Sequence, residues 1–454
     1  MKSRSTKKLG AVAVSLVFFA ASIFQISQIQ AANAAVSTQS GTVNWWGWTP
    51  DDVVAKKYIA TFNKQYPKIK VNFKKLTIDG YNAALRPALA SSVGPDVYNV
   101  APGAANGSVQ IYGKNAVDLT PAVTKLLGAN WKTKLAPIGV STLMLGKKLA
   151  GLSIGAVYSG TVWINKDLFD KYNLVAPKTY ADWKNVCETF KKNDVGCFVQ
   201  GAAMTAFNED TLQGITDNVK PGVWQKALEG KTPWTDPAIV KAFKIWKQMF
   251  DDGIVQEGAL GMQQYPEANN AFMAQKYAMV MMGTWYMQYS TVDGNTGAIS
   301  GAGVASPKTF TQVPIPLPDV SGSGNVGAMY GDADFGLAVN AKSKNIAAAT
   351  TFVTWLTATV PGQQLVADIL NNIPALKGVY PNWKNIKLVN PAVQKPALEA
   401  TIAAAGKSNE PRLATVSPDL QTLIGTATTT VAAGKATPEE ATKTLQDGFS
   451  KLTP

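Results

Sequence analysis

The chain has 454 residues, 46% of them hydrophobic and 16% charged, which is enough for two domains with full cores. It contains no histidine, which excludes imidazole nucleophile systems, imidazole general bases and His-ligated zinc; its two cysteines, Cys187 and Cys197, are too few for a four-thiolate site. The net charge of +13 comes from scattered lysines, with pairs such as Lys74-Lys75 and Lys191-Lys192 rather than tracts, so a soluble basic surface is expected and no nucleic-acid partner.

Residues 1–34 read as a secretory leader. Lys2, Arg4, Lys7 and Lys8 form its basic start, 9–24 is the apolar run, and Ala32-Asn33-Ala34 is a small-x-small site, so cleavage is expected before Ala35. Ser15 and Ser22 interrupt the run and argue against a membrane span, an uncleaved anchor being the alternative. No cysteine stands near the cut, so no lipid anchor is expected. The leader holds four basic residues and no acidic ones, and its removal lowers the charge to +9.

After the leader, 42–46 reads as a strand. Thr49, Pro50 and Asp52 then read as cap, first helical residue and first-turn acid of a helix with Val54, Tyr58 and Phe62 on one face. Ile69, Val71 and Phe73 alternate with Lys70, Asn72 and Lys74 in a second strand, which completes a βαβ unit. A helix from Tyr81 ends at Gly94-Pro95, and 96–100 is a third strand, so a mainly parallel sheet covered by helices is expected. Ligands of such sheets sit at the carboxyl ends of strands, which puts Trp48 beside a site.

The stretch from Val157 to Trp183 changes character three times. Alternation over 157–164 predicts a strand. Leu168, Phe169 and Tyr172 follow at helical spacing, and Thr179 with Asp182 reads as a capping box for a further helix. Beyond it, Ile239, Phe243, Trp246 and Phe250 form a helical face, and 278–282 is a buried strand entering Gly283-Thr284-Trp285. The Gly/Ser/Thr-rich stretch 290–309 reads as a surface loop. The proline-rich 313–318 reads as an extended crossing between lobes, because prolines do not fit an inner strand. A strand at 335–339, a helix at 345–358 and a last capped helix from Thr437-Pro438 complete the pattern.

Asn165-Lys166-Asp167-Leu168-Phe169, followed by Pro177-Lys178-Thr179 and Trp183, resembles the segment in which family 1 extracellular solute-binding proteins cross between lobes. These are sugar-binding proteins of ABC importers of the maltose-binding-protein kind. Val43-Asn44-Trp45-Trp46-Gly47-Trp48, Gly94-Pro95-Asp96-Val97, Gly283-Thr284-Trp285, Leu337-Ala338-Val339-Asn340 and Asn372-Ile373-Pro374-Ala375 resemble further family segments in the same order. The resemblance implies an α/β, two-lobed periplasmic-binding-protein fold (type II), hinged, with the ligand cleft between the lobes. It implies one lobe from 35–156 with 317–370 and another from 157–316 with 371–454.

A sugar presents hydroxyls at its rim and apolar C–H faces, so its site needs aromatic plates and fixed donors and acceptors. Trp48 and Trp285 stand at loop starts, and the family has its aromatic platform at Trp285. The family also places a ligand-contacting side chain at Tyr158, with Ser159 as its companion. In Tyr330-Gly331-Asp332-Ala333-Asp334, Tyr330 and Asp332 are candidate contacts, since a carboxylate accepts two hydroxyls at once. Asp332 and Asp334 are expected to face opposite ways, Asp334 capping or solvated, which argues against a catalytic pair. Arg412 resembles the family's late Pro-Arg segment, with a structural ion pair as the alternative. Asp51, Phe207 and Trp224 are further candidates.

Cys187 and Cys197 are expected to form one disulfide in an exported protein, two buried free thiols being the alternative. The expected function is carbohydrate capture by hinge closure and delivery to a membrane-embedded ABC permease, by a monomer that is not an enzyme and uses no cofactor or metal. The alternatives are an extracellular carbohydrate-active enzyme and a binder of a polyamine or phosphate ester.

Overall fold

The computed structural model describes residues 36–452 apart from 79, 104–106 and 409. The expected leader and its cleavage site lie outside the described residues. Among those described, no helix is long and apolar enough to cross a membrane.

The chain opens with β1 (Gly41–Gly47), α1 (Asp52–Gln65), β2 (Ile69–Lys75), α2 (Tyr81–Ala90), β3 (Val97–Val100) and β4 (Leu152–Ser153). Apolar residues at spacing four bury Val54, Tyr58 and Phe62 of α1. Asp51, not Thr49, stands at the N-cap of α1, and its side chain makes no cap bond. That carboxylate is engaged elsewhere, with Lys75 and Tyr289.

Next come β5 (Gly155–Ser159), β6 (Thr161–Asn165), α3 (Tyr180–Lys192), β7 (Gly196–Val199), α4 (Thr205–Val219), α5 (Pro237–Asp251), β8 (Tyr277–Met282), α6 (Val292–Gly301) and β9 (Gln312–Pro316). The capping box of α3 forms as the sequence predicts, Thr179 and Asp182 each accepting from the other's backbone. The stretch 157–164 is two strands, not one. Gly160 lies between them at φ +97°, and a Cβ there would fall 2.2 Å from the Ala328 carbonyl oxygen. Only glycine makes that turn. The stretch 290–309 is not all loop: α6 forms within it, capped by Thr291 accepting from the Gly294 amide, with Asn295 and Ile299 inward. The segment 313–318 is not a free crossing either. Gln312 to Pro316 pair antiparallel with β6 as the edge strand of a sheet, a place that tolerates proline.

The chain closes with β10 (Tyr330–Ala333), β11 (Gly336–Val339), α7 (Ile346–Ala358), α8 (Val360–Ile369), β12 (Ile373–Pro374), α9 (Pro391–Ala405), α10 (Pro418–Ala432) and α11 (Pro438–Leu452). Three sheets organise the molecule, in strand orders β2-β1-β3-β11-β4, β9-β6-β8-β7 and β10-β5-β12. The two larger sheets are mixed. β1 runs parallel to β2 and β3, but β11 is antiparallel to both its neighbours. In the second, β8 is parallel to β7 and antiparallel to β6.

Each larger sheet has its own core. Trp45, Phe62, Phe352 and Val353 pack in the first; Trp183, Phe190, Trp224, Trp234 and Trp246 pack in the second. Leu317 and Val320 belong to the second core, Leu376 and Val379 to the first. The small sheet lies where the chain passes between the cores. Its β5 pairs antiparallel with β10 on one side and β12 on the other. Cys187 of α3 and Cys197 of β7 are bonded, their Cα atoms 4.9 Å apart.

Candidate functional site

The two cores meet along a seam, and the meeting is close. Lys57 of α1 pairs with Asp293 of α6 at 3.0 Å. The Tyr289 hydroxyl donates to Asp51 at 3.2 Å. A Cβ on Gly103 would stand 2.0 Å from the Leu413 carbonyl oxygen, so backbone from one side touches backbone from the other. The small sheet floors the seam. A cavity of about 40 Å³ remains there, bordered by Ala101, Pro102, Val157, Asp332, Ala333, Asp334, Arg412 and Leu413. That is room for about one water. A sugar ring enters only if the lobes part.

Arg412 and Trp285 form the wall on the second side. The Arg412 guanidinium donates Nε and Nη2 to the two oxygens of Asp210, both at 2.7 Å, a bidentate fork. Asp210 is 1% exposed and Arg412 14%, so each charge depends on the other. Burial works against the guanidinium's charge, but the Asp210 carboxylate outweighs it and the pKa is raised. The guanidinium carbon lies 4.9 Å from the centre of the Trp285 ring and 5.6 Å from that of Phe207, within cation–π reach of both. Trp285 donates its Nε1–H to the Tyr265 hydroxyl at 2.9 Å. Gly283 permits the turn beneath the indole; a Cβ there would sit 2.1 Å from the ring and 2.3 Å from the Tyr158 carbonyl oxygen. The Trp285 ring is therefore fixed by its edge and by a stacked cation, and stays half-buried.

Asp332 and Asp334 both border the cavity, against the expectation that they face opposite ways. Residues two apart on an extended chain share a face. Asp332 accepts from the backbone N–H groups of Arg412, Leu413 and Ala414 at 3.3, 2.5 and 3.0 Å. Its carboxylate thus holds the 412–414 loop. Asp334 accepts from the Asn372 side chain at 2.7 Å; burial raises its pKa to about 6, with Asn372 and Arg412 working the other way.

The remaining candidates divide. Asp51 lies in the seam, bonded to Lys75 at 2.5 Å and to Tyr289. Trp48 is half-buried on the first lobe, packed edge-on to Tyr81 at 4.8 Å and to Phe335 at 6.1 Å. Tyr158 is opposite Gly331 in the small sheet and packs with Ala156 and Ala405, while its neighbour Val157 borders the cavity. Burial, and then the charge of Asp332, raises the Tyr158 pKa. Ser159 is buried and its Oγ has no partner among the described residues. Tyr330 is fully buried, its hydroxyl donating to the Asp210 carbonyl. Tyr158, Ser159 and Tyr330 are all buried in this conformation. Phe207 meets Arg412 and Trp285. Trp224 is core, edge-on to Trp234.

Sequence reasoning missed Asp210, Tyr265, Tyr289 and Val157. A signal for Asp210 existed. Its helix α4 buries Asn208, Glu209, Asp210, Gln213 and Asp217 together, so its acids and amides mark no solvent face. Its sequence sets acids and amides on several faces of the helix, more than one solvent face accounts for. Tyr265 and Tyr289 carry no such mark.

Two mixed-sheet cores joined by a three-strand hinge around a closed seam define a two-lobed binding protein. The chain belongs to the bacterial extracellular solute-binding protein family, whose pattern it matches over residues 46–363. It is 24% identical over 339 residues to the multiple sugar-binding protein of Streptococcus mutans, covering 72% of this chain and 73% of that one. Its structure is similar to maltose-bound MalE3 of T. maritima, with a TM-score of 0.70 and 18% identity over 90% of this chain and 99% of that one. It is also similar to an ABC substrate-binding protein of Listeria monocytogenes in complex with cycloalternan, with a TM-score of 0.68 and 19% identity over 91% of this chain and 99% of the other.

Proposed function

We propose that this protein captures a carbohydrate outside the cytoplasm by closing its lobes on it, and delivers the solute to a membrane-embedded ABC permease without chemical change. The observation that carries the reading is the Trp285 wall. It is a half-buried aromatic plate stacked against the guanidinium of Arg412, which borders the seam cavity together with Asp334, and it suits a ring with an apolar face and a hydroxyl rim. The names of the relatives, which bind sugars, support the same class of ligand. Closure supplies the selectivity, because a solute favours the closed form only through contacts to both lobes.

In this reading the ligand-facing residues are Trp48, Asp51, Trp285, Asp334 and Arg412, with Phe207 and Tyr265 beside them. The lobes follow the two cores and turn about the three-strand sheet. The mature chain begins near Ala35 and acts as a monomer. Equilibrium dialysis against a panel of mono- and oligosaccharides, with chemical analysis of what is recovered, tests the function. The expected result is one-to-one retention of an intact sugar. Shortened products would point to the carbohydrate-active enzyme and contradict the proposal.

A further inference from the structure

The first sheet carries a groove on the face turned away from the Trp45 core. β1 and β2 run in parallel register, with Asn44 beside Asn72 and Trp46 beside Lys74. Side chains alternate along a strand, so Val43, Trp45 and Val71 enter the core while Asn44, Trp46, Asn72 and Lys74 share the opposite face. Those four form a floor, and the turn 93–95 between α2 and β3 forms a wall. The groove holds about 270 Å³, close to the lower end, about 300 Å³, of small-molecule pockets. Its wall leads into the start of β3, whereas Ala101 and Pro102, at the seam, follow the end of that strand. Groove and seam therefore lie toward opposite ends of β3.

The floor is ordered. Asn44 donates its backbone N–H and its Nδ2 to Asp96 Oδ2 at 2.8 and 3.2 Å, and Asn72 donates Nδ2 to Asn44 Oδ1 at 3.1 Å. Asp96 is buried, and Ser343 donates to its other oxygen at 2.5 Å. This chain of bonds fixes both amides and leaves Asn72 Oδ1 an acceptor with no partner among the described residues. Trp46 is half-buried, and the Lys74 ammonium stands 4.3 Å from the centre of its ring. Among the described residues no carboxylate pairs with Lys74, or with Lys70 on the same face; Lys75, the next residue, pairs with Asp51.

We propose that this groove is a sugar site apart from the seam, and that it takes a hexuronate unit, a sugar ring that carries a carboxylate. The apolar face of the ring lies on the indole, a hydroxyl donates to Asn72 Oδ1, and the carboxylate accepts from the Lys74 ammonium. An ammonium over an exposed ring is held weakly, so Lys74 turns readily to a carboxylate. Charge decides the class of ligand. A neutral sugar leaves Lys74 unpaired, and a bare carboxylate leaves the indole uncovered. At the seam, by contrast, the guanidinium of Arg412 is already committed to Asp210.

The proposal does not depend on what the seam captures, and its test reads this face directly. Proton–nitrogen correlation spectra of the mature chain, titrated with glucuronate, glucose and acetate, follow the Trp46 Nε1–H and the Asn72 side-chain amide. Glucuronate should shift both saturably, with a Kd lower by about tenfold or more than those of glucose and acetate, because each of these lacks one contact. Lys74→Met, a change at an exposed position, should raise the glucuronate Kd by about tenfold or more. In Trp285→Ala the shifts should persist, which separates this site from the seam. No shift at these two groups, an equal response to glucose or acetate, or a titration unmoved by Lys74→Met would overturn the proposal. Shifts lost in Trp285→Ala would overturn it as well, by assigning the acidic sugar to the seam.

Discussion

Trp285 is held by what surrounds it rather than by deep burial. Its edge is bonded to Tyr265, its face meets Arg412, and Gly283 turns the chain beneath it. Trp285→Ala should weaken sugar binding by about 2 kcal/mol or more, the scale of an aromatic anchor. A core tryptophan such as Trp224 would instead cost about 3–5 kcal/mol of stability when removed. Calorimetric titration with denaturant melts of the variant separates the two; near-normal affinity with a large stability loss would move the site elsewhere. The buried acids make a second prediction at this scale. Burial raises Glu209 to about 8, with Asp210 adding, and Asp334 to about 6. Both folded values lie above the unfolded ones, so the folded state binds more protons and stability falls as pH rises from about 4 to about 8. Glu209→Gln should flatten that fall in urea melts at pH 5 and at pH 8, read against about 1.4 kcal/mol per unit of pKa difference.

At the scale of elements, the Cys187–Cys197 bridge ties the buried face of α3 to the start of β7, closing a span of ten residues. Replacing both cysteines with serine should lower stability by about 2–3 kcal/mol. Thiol labelling of the unreduced, denatured protein should find no free thiol; two would refute the bridge. The elements legible in the sequence were those with a clean period or a strong cap. The face of α1, the capping box of α3 and the apolar run of β8 all read directly. α6 did not, because its glycines and polar residues hide the Asn295–Ile299 face. Nor did the break at Gly160, because alternation continues across it while the backbone changes sheets. β9 was hidden by prolines, whose place on a sheet edge depends on tertiary neighbours. Trp285 and Arg412 were singled out through their family segments, and folding stacks one on the other. Asp210, the partner that holds Arg412, lies 202 residues away, and only folding brings it there.

For the molecule as a whole, function depends on the lobes parting and closing. The rim contacts that span the seam are modest. Lys57 and Asp293 are both largely exposed, and such pairs contribute about 0–1 kcal/mol. They let the closed form exist without fixing it, so a solute that touches both lobes sets the balance. Binding only the folded, closed state must then stabilise the protein, by about 2.7 kcal/mol at about 100 times Kd. The most direct measurement is a thermal-shift screen of the mature chain against mono- and oligosaccharides, with polyamines and phosphate esters alongside. The account predicts a concentration-dependent rise in melting temperature with at least one sugar and none with the other solutes. A rise with a polyamine or phosphate ester and with no sugar would contradict it.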